Sequence, residues 1–368
     1  MLKNKHRIIS LFICICMLLC TCSCMPASNS ETSNADFQSA FTVHYIDVGQ
    51  GDAALVVCDN KTMLIDGGKP QAGSIIYTYL KKLNINCLDY IVASHADDDH
   101  IGGLSAPLAK MTVKNVLAPK TEANSRSYTN FKTKAAEQGL TITHPKAGES
   151  LDFGSSKVEF FCPITENESD RNNGSIVMKT IYGDTSFLFT GDAEREEEQE
   201  ILNAGYNLSS TVLKVGHHGS RNSTTYPFLR EIMPKYAVIS VGENSYGHPT
   251  EDTLSRLRDA DVKVYRTDLQ GDIIAVSDGK NVTFTTKKNE NVQTNPTENE
   301  KSNSSQNTTN QASSEVFEYV ANAKSKKFHY PQCAAVSQMK EENKVYLNCT
   351  HDEAVKDRYI PCGMCIGK

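Results

Sequence analysis

Two histidines and three aspartates fall within six residues of this chain, in Ser94-His95-Ala96-Asp97-Asp98-Asp99-His100-Ile101-Gly102-Gly103. No other stretch constrains the fold as strongly. The apolar run from Leu88 to Ala93 just before it reads as a buried strand ending at Ser94. The Ile-Gly-Gly after it suits a turn into a helix. A loop at a strand's end can aim alternate side chains at one point. His95, Asp97 and Asp99 are spaced by two, with His100 directly after. Three carboxylates packed this closely repel one another unless a cation sits among them. Nitrogen and oxygen donors without thiolate suit Zn²⁺ or Mn²⁺. The plain alternative is a solvated acidic loop at a helix start, and partner residues downstream argue against it.

Those partners recur at strand ends. Phe187-Leu-Phe-Thr-Gly191-Asp192 is an apolar strand that stops at Gly-Asp. Val212-Leu-Lys214-Val-Gly216-His217-His218-Gly219-Ser220 stops at a histidine pair. Ala237-Val-Ile-Ser-Val-Gly242 leads on to His248-Pro249. Glycine at such ends lets the backbone approach a ligand closely. Together these residues offer about seven ligands, enough for a two-metal site with a bridging carboxylate.

Around these motifs the periodicity predicts an α/β (α+β) architecture. The strand Phe41–Val48 and the hairpin Ala54–Asp66 come first. Strands follow at 113–118, 157–161, 175–182, 186–190, 211–215, 236–241, 263–266, 272–277 and 282–286. Helices are expected at 74–83, 130–138, 194–203, 226–233 and 251–260. Groups of strands separated by helices suggest two packed sheets with helices outside.

The 368 residues carry a net charge of −6, so no overall basic field points to nucleic acid. A local patch would have to serve; Lys214, Arg221, Arg266 and Lys69 lie nearest the motifs. The acidic run Glu194–Glu200 is expected to face away from any such ligand. Twelve cysteines fall in separate groups. Five lie between Cys14 and Cys24, behind Lys3, Lys5, Arg7 and an apolar run from Ile8 to Cys20. Residues 1–24 thus read as a targeting segment, and 25–40 as a flexible tether. Cys58, Cys87 and Cys162 read as small buried apolar residues. There is no Walker motif, no dinucleotide fingerprint and hence no expected nucleotide cofactor.

The targeting segment resembles a bacterial lipoprotein signal with Cys22 or Cys24 as the lipidated residue. That implies a lipid anchor in the membrane and work on its outer face; plain secretion is the alternative. The motifs Asp47-Val-Gly-Gln-Gly-Asp52, Leu64-Ile-Asp-Gly-Gly68, His95-x-Asp-x-Asp-His100, Thr190-Gly-Asp192, Lys214-x-x-His-His-Gly-Ser220 and Tyr246-Gly-His-Pro249 resemble the metallo-β-lactamase superfamily. More narrowly, they resemble the hydrolase domain of ComEC-type DNA-uptake competence proteins. The resemblance covers residues 41–287 and implies an αββα sandwich holding two divalent metals, Zn or Mn. Asp97 stands where the general signature has a second histidine. No histidine fits the superfamily's third position; Asn173 and Ser175 occupy that region.

In the implied site His95 and Asp97 hold one metal, and Asp99, His100 and His248 the other. Asp192 bridges them. A metal-bound water that deprotonates near neutral pH is the expected nucleophile, with Asp99 also able to orient it. His217 or His218 is a further ligand or protonates the leaving group; both remain open. Lys214 and Ser220 flank the substrate, where Lys214 could neutralise a phosphate oxygen. The plain reading of Lys214 is a solvated strand residue. Asp47 and Asp66 read as turn or supporting residues. The resemblance implies a phosphodiesterase acting on DNA. The alternatives are a phosphocholine esterase acting on cell-wall polymers, a non-catalytic DNA- or wall-binding lipoprotein, and a lactam- or lactone-cleaving enzyme.

Residues 288–314 are rich in Asn, Thr, Ser and Gln and read as a linker. In 315–368, His329-x3-Cys333 and Cys362-x2-Cys365 give four ligands spaced for a closed zinc site. So short a segment needs such a staple. The tract resembles the small zinc-binding module of the Ada DNA-repair protein, which implies one structural Zn and a part in holding DNA or wall polymer. Two disulfides are the alternative.

Overall fold

The computed structural model describes residues 41–164, 170–297, 317–329, 333–349 and 351–362. The targeting segment, Cys22, Cys24, most of the expected linker and Cys365 lie outside the described residues.

In chain order β1 (Phe41–Tyr45), β2 (Ala54–Cys58), β3 (Lys61–Ile65), β4 (Cys87–Val92), β5 (Thr112–Leu117) and β6 (Ile142–Thr143) come first. Then come β7 (Ser150–Phe153), β8 (Ser156–Phe160), β9 (Met178–Tyr182), β10 (Thr185–Phe189), β11 (Val212–Lys214), β12 (Tyr236–Ile239) and β13 (Lys263–Arg266). The last pair is β14 (Ile273–Ser277) and β15 (Val282–Thr286). One sheet has the order β15-β14-β1-β2-β3-β4-β5-β6, the other β13-β12-β11-β10-β9-β8-β7. β3, β4 and β5 run parallel, as do β10 to β13.

Alternation along β1 shows how the layers form. Phe41, Val43 and Tyr45 turn inward and meet Phe187 and Phe189 of the other sheet. Phe41 stacks on Tyr182 at 5.3 Å and meets Phe187 at 5.2 Å. His44, one step out of phase, faces the outer helix 73–82, with Nδ1 2.9 Å from the Tyr79 hydroxyl. That helix brings Ile76 and Leu80 onto the outer face of the first sheet, with Leu104, Leu108 and Phe131 beside them. Helices 195–204, 226–232 and 251–259 bring Ile201, Phe228, Ile232 and Leu257 onto the second. The result is the expected αββα sandwich. Burying three such apolar layers, at ~25 cal/mol per Å², is the main stabilisation.

Most expected elements appear within a few residues of their places. The short helix 105–110 and the edge strand β7 were not expected. Each is too short or too polar to show a period. The strand expected from Ser175 begins only at Met178, because Ser175 is turned to the loop below. Of the three isolated cysteines, Cys58 and Cys162 are fully buried, whereas Cys87 is only half-buried.

The C-terminal segment forms its own sheet, in the order 344–349, 317–322, 327–329, 360–361, with short helices at 334–337 and 351–356. Tyr319, Ala321, Phe328 and Ala354 make its small core. No helix among the described residues is long and apolar enough to cross a membrane.

Candidate metal centre

The carboxyl ends of the parallel strands meet in one place. The turn before β2 supplies Asp52, β3 leads to Asp66, and β4 to His95 and His100. β10 leads to Asp192, β11 to His217 and His218, and β12, through a longer loop, to His248. Close approach depends on glycine here. A Cβ on Gly51, at φ 141°, would strike the Asp99 carbonyl. One on Gly191, at φ 51°, would lie 2.9 Å from both Ser94 and Ser175. His217 and His218 themselves hold φ 47° and 52°. Two successive left-handed non-glycine residues cost roughly 1–3 kcal/mol each, and the turn thereby aims both rings the same way.

Four imidazoles have their Nδ1 engaged by a neighbouring oxygen. His100 Nδ1 faces Asp66 Oδ2 at 3.0 Å. His218 Nδ1 donates to the Ser240 carbonyl at 2.9 Å and also lies 3.2 Å from Asp52 Oδ1. His217 Nδ1 donates to Glu194 Oε1 at 2.8 Å, and His95 Nδ1 faces Ser94 Oγ at 3.0 Å. Their Nε2 atoms turn toward the Asp192 carboxylate. That of His100 lies 3.2 Å from Oδ1; those of His217 and His218 lie 3.7 Å from Oδ2, and that of His95 3.9 Å. This is how metal-binding histidines are commonly held: one nitrogen is fixed by a hydrogen bond and the other left free.

The fit to a cation shows in the buried atoms without hydrogen-bond partners. His95 Nε2, His100 Nε2, His218 Nε2, Asp52 Oδ1 and Asp192 Oδ1 are all in that state. Asp52, His100, Asp192 and His218 each offer an atom within 4.8 Å of the others. Leaving such groups uncompensated is costly, and a divalent ion with N and O ligands satisfies them together. These groups also shift one another's charge. Burial opposes charge at Asp192, but the neighbouring His100 and His218 hold its carboxyl far below the usual range. Burial likewise opposes charge at His218, and Asp192 and Asp52 push it up to about 9.

The other expected residues sort around this core. Asp99 is partly exposed, with Oδ2 3.5 Å from His218 Nε2. His248 stands beside His217, their rings 5.3 Å apart, and its Nδ1 has no hydrogen-bond partner. Burial, with His217 and His218 nearby, lowers its pKa to about 4. Asp97 turns outward and pairs with Arg171, a contact that nothing in the spacing announces. Lys214 is not solvated. It is 3% exposed, and its Nζ lies 2.6 Å from Asp52 Oδ2 and 2.9 Å from the Val215 carbonyl. Ser220 is buried as well, its Oγ accepting from the Asn222 amide at 3.3 Å.

The acidic run after Asp192 also departs from expectation. Glu194 faces the centre through His217 instead of pointing away, and Glu197 and Glu198 are buried. Asn173 and Ser175, in place of a third histidine, brace this turn. Asn173 Oδ1 accepts from the Glu194 amide at 3.0 Å, and Ser175 Oγ from the Asp192 amide at 3.1 Å. Asp52 and Glu194 are the residues of this cluster that spacing alone does not single out. Asp52 was visible only as the end of a Gly-Gln-Gly-Asp turn.

A second group of soft ligands lies in the C-terminal segment. Atoms of His329, Cys333 and Cys362 fall within 4.8 Å of one another. His329 Nδ1 is buried without a hydrogen-bond partner, and Cys333 and Cys362 are both buried.

Residues 46–243 match the sequence model of the metallo-beta-lactamase superfamily. ComE operon protein 3 of Bacillus subtilis is 33% identical over 63% of this chain and 32% of its own length. Competence protein ComA of Neisseria gonorrhoeae is 35% identical over 61% and 30%. The chain thus spans about a third of the length of these relatives. Among solved structures, the metallo-beta-lactamase fold protein YhfI of Bacillus subtilis aligns at a TM-score of 0.46 and 10% identity. The alignment covers 64% of this chain and all of that one.

Proposed function

Because this chain belongs to the metallo-beta-lactamase superfamily, we propose that it is a metal-dependent phosphodiesterase acting on DNA outside the cytoplasm. The observation that carries the reading is the convergence of four imidazole Nε2 atoms on Asp192 at the strand ends. Relatives named for competence support nucleic acid as the substrate. The lipoprotein-like Lys3–Cys24 stretch supports an anchored, outward-facing position.

Asp52, His100, Asp192 and His218 are the residues that would hold a divalent cation, with His95 and Asp99 at its edge. A cation there supplies Lewis acidity toward a phosphoryl oxygen and makes a coordinated water more acidic. The chain's own groups do the rest. Buried His218 is the ligand of the histidine pair. His217 is partly open to solvent and held by Glu194, so it can carry a proton at Nε2 to the leaving oxygen. Lys214 keeps Asp52 ionised: burial opposes the charge, but the ammonium and His218 lower the Asp52 pKa to about 2. In the C-terminal segment His329, Cys333 and Cys362 would hold a structural Zn, with Cys365 expected as the fourth ligand.

The test uses metal-stripped full-length protein and its His100→Ala form, each resupplied with Mn²⁺ or Zn²⁺. Labelled DNA and a phosphocholine ester are the substrates. DNA cleavage that vanishes in His100→Ala supports the reading. Ester cleavage without DNA cleavage replaces it with wall-polymer remodelling.

A further inference from the structure

Three arginines stand within one residue of the contacts to Glu194. Arg171 precedes Asn172, whose Nδ2 lies 3.4 Å from Glu194 Oε1. Arg221 precedes Asn222, whose Nδ2 lies 3.5 Å from Glu194 Oε2. Arg195 follows Glu194 directly, and all three side chains are exposed. The carboxylate that orients His217 therefore also fixes where three guanidinium-bearing segments meet. Arg195 and Arg221 line a groove of about 510 Å³ with Tyr226, Ser255 and Arg256. The acids of that groove are already engaged: Glu251 pairs with Arg258, and Asp252 lies 3.6 Å from Arg221. The Arg195 side chain is exposed and makes no hydrogen bond or ion pair with any described residue. Arg171 is held through Nε by Asp97, and its terminal nitrogens make no further ion pair with a described residue.

Aromatic faces flank the same path. Tyr226 is 54% exposed in the groove, and Tyr246 is 70% exposed with its ring 5.7 Å from that of His248. Interleaved with exposed guanidinium groups, they suit bases stacked along a charged backbone. A glycerol- or ribitol-phosphate polymer offers nothing to stack.

We propose that Arg171, Arg195 and Arg221, with Tyr226 and Tyr246, form a track for single-stranded nucleic acid. The track binds phosphates and bases on either side of the bond to be cut. It rests on the phosphodiesterase reading and specifies the substrate as an extended single strand in place of a short ester.

Binding tests the track without cleavage. Fluorescence anisotropy of labelled dT2 and dT20 is read in EDTA across a salt series, for full-length protein and variants. Wild type should bind dT20 far more tightly than dT2. Arg195→Ala/Arg221→Ala should weaken dT20 binding about tenfold or more. It should also flatten the log–log salt slope by about 1.4, two contacts at ~0.7 each. Arg195→Lys/Arg221→Lys should restore most of that slope, and Tyr226→Ala should weaken binding without changing it. An unchanged dT20 affinity in the double alanine variant overturns the proposal. So does poly(glycerol phosphate) binding as tightly as dT20 with no response to Tyr226→Ala. Wild type that binds dT20 in this way yet cleaves nothing with Mn²⁺ or Zn²⁺ overturns the phosphodiesterase reading and leaves the track standing.

Discussion

Asp66 and His100 lie 3.0 Å apart, Oδ2 to Nδ1, with both side chains almost wholly buried. Asp66 spends its other lone pairs on Ser94, accepting from its amide and its hydroxyl at 2.7 Å each. One carboxylate therefore ties the end of β3 to the loop after β4 and fixes the His100 ring so that Nε2 faces Asp192. Asp66→Ala should lower metal affinity at the centre by about 10–100-fold, while Asp47→Ala at an outer turn should not. Isothermal titration of the stripped protein with Mn²⁺ or Zn²⁺ measures both. Equal affinities for wild type and Asp66→Ala would refute this role.

Metal removal should act on stability as well as on activity. The centre gathers Asp52, Asp99 and Asp192 around His100 and His218. A cation bound only in the folded state adds about 2.7 kcal/mol at a free concentration a hundred times its dissociation constant. Chelation should therefore lower the Tm by several degrees, and Mn²⁺ or Zn²⁺ should restore it in a concentration-dependent way. Scanning fluorimetry of wild type and His100→Ala reads this directly. The variant should start lower or equal and respond weakly to metal.

Lys214 and Asp52 form a buried pair beneath the centre. Removing one partner of such a pair strands the other and costs about 3–5 kcal/mol. Lys214→Met should therefore lower the free energy of unfolding by an amount of that order in urea titrations. Lys214→Met/Asp52→Leu should recover part of the loss, because neither charge remains unpaired. If Lys214 instead worked on the substrate, Lys214→Met would leave stability intact and reduce only turnover.

The parts of the centre legible in the sequence were those delivered at the ends of apolar strands. His95, His100, Asp192 and the His217–His218 pair each follow a run of buried residues, so strand period and glycine punctuation placed them together. Asp97 and Lys214 sit in the same motifs but face elsewhere. Position in a motif fixes where a Cα goes, and the side chain then follows local sterics and the nearest opposite charge. Asp97 finds Arg171 across 74 positions of chain, and Lys214 finds Asp52. Glu194 was hidden for a different reason. It opens an acidic helix whose composition reads as a solvated face, and only the left-handed turn at His217 turns that ring onto it.

The C-terminal ligands should bind metal independently of the main centre. Cys333→Ser or Cys362→Ser should lower bound zinc by about one equivalent per chain and leave Mn²⁺ binding at the Asp192 centre unaltered. Elemental analysis of purified protein gives the count. Two disulfides in this segment would instead leave zinc unchanged and make the thiol count depend on reductant. A segment whose described core is Tyr319, Ala321, Phe328 and Ala354 should also lose its near-ultraviolet signal when zinc is removed.

A last prediction concerns pH and a histidine far from the metal. His44 lies on the outer face of β1, its Nδ1 against the Tyr79 hydroxyl and its Nε2 3.3 Å from Thr42 Oγ1. Burial lowers its pKa from 6.5 to about 4, with Asp272 pulling the other way. The unfolded chain therefore takes up a proton near pH 6.5 that the folded chain refuses until about pH 4. Stability from this residue is complete above pH 6.5 and is lost progressively as pH falls toward 4. The loss is on the order of 3 kcal/mol at about 1.4 kcal/mol per pH unit. His44→Gln keeps a polar partner for Tyr79 and has nothing to protonate. Its unfolding free energy should fall less steeply than that of wild type between pH 6.5 and 4, in chelator so that the metal ligands do not contribute a metal-release term. Parallel pH profiles for the two proteins would mean that His44 takes up its proton while folded.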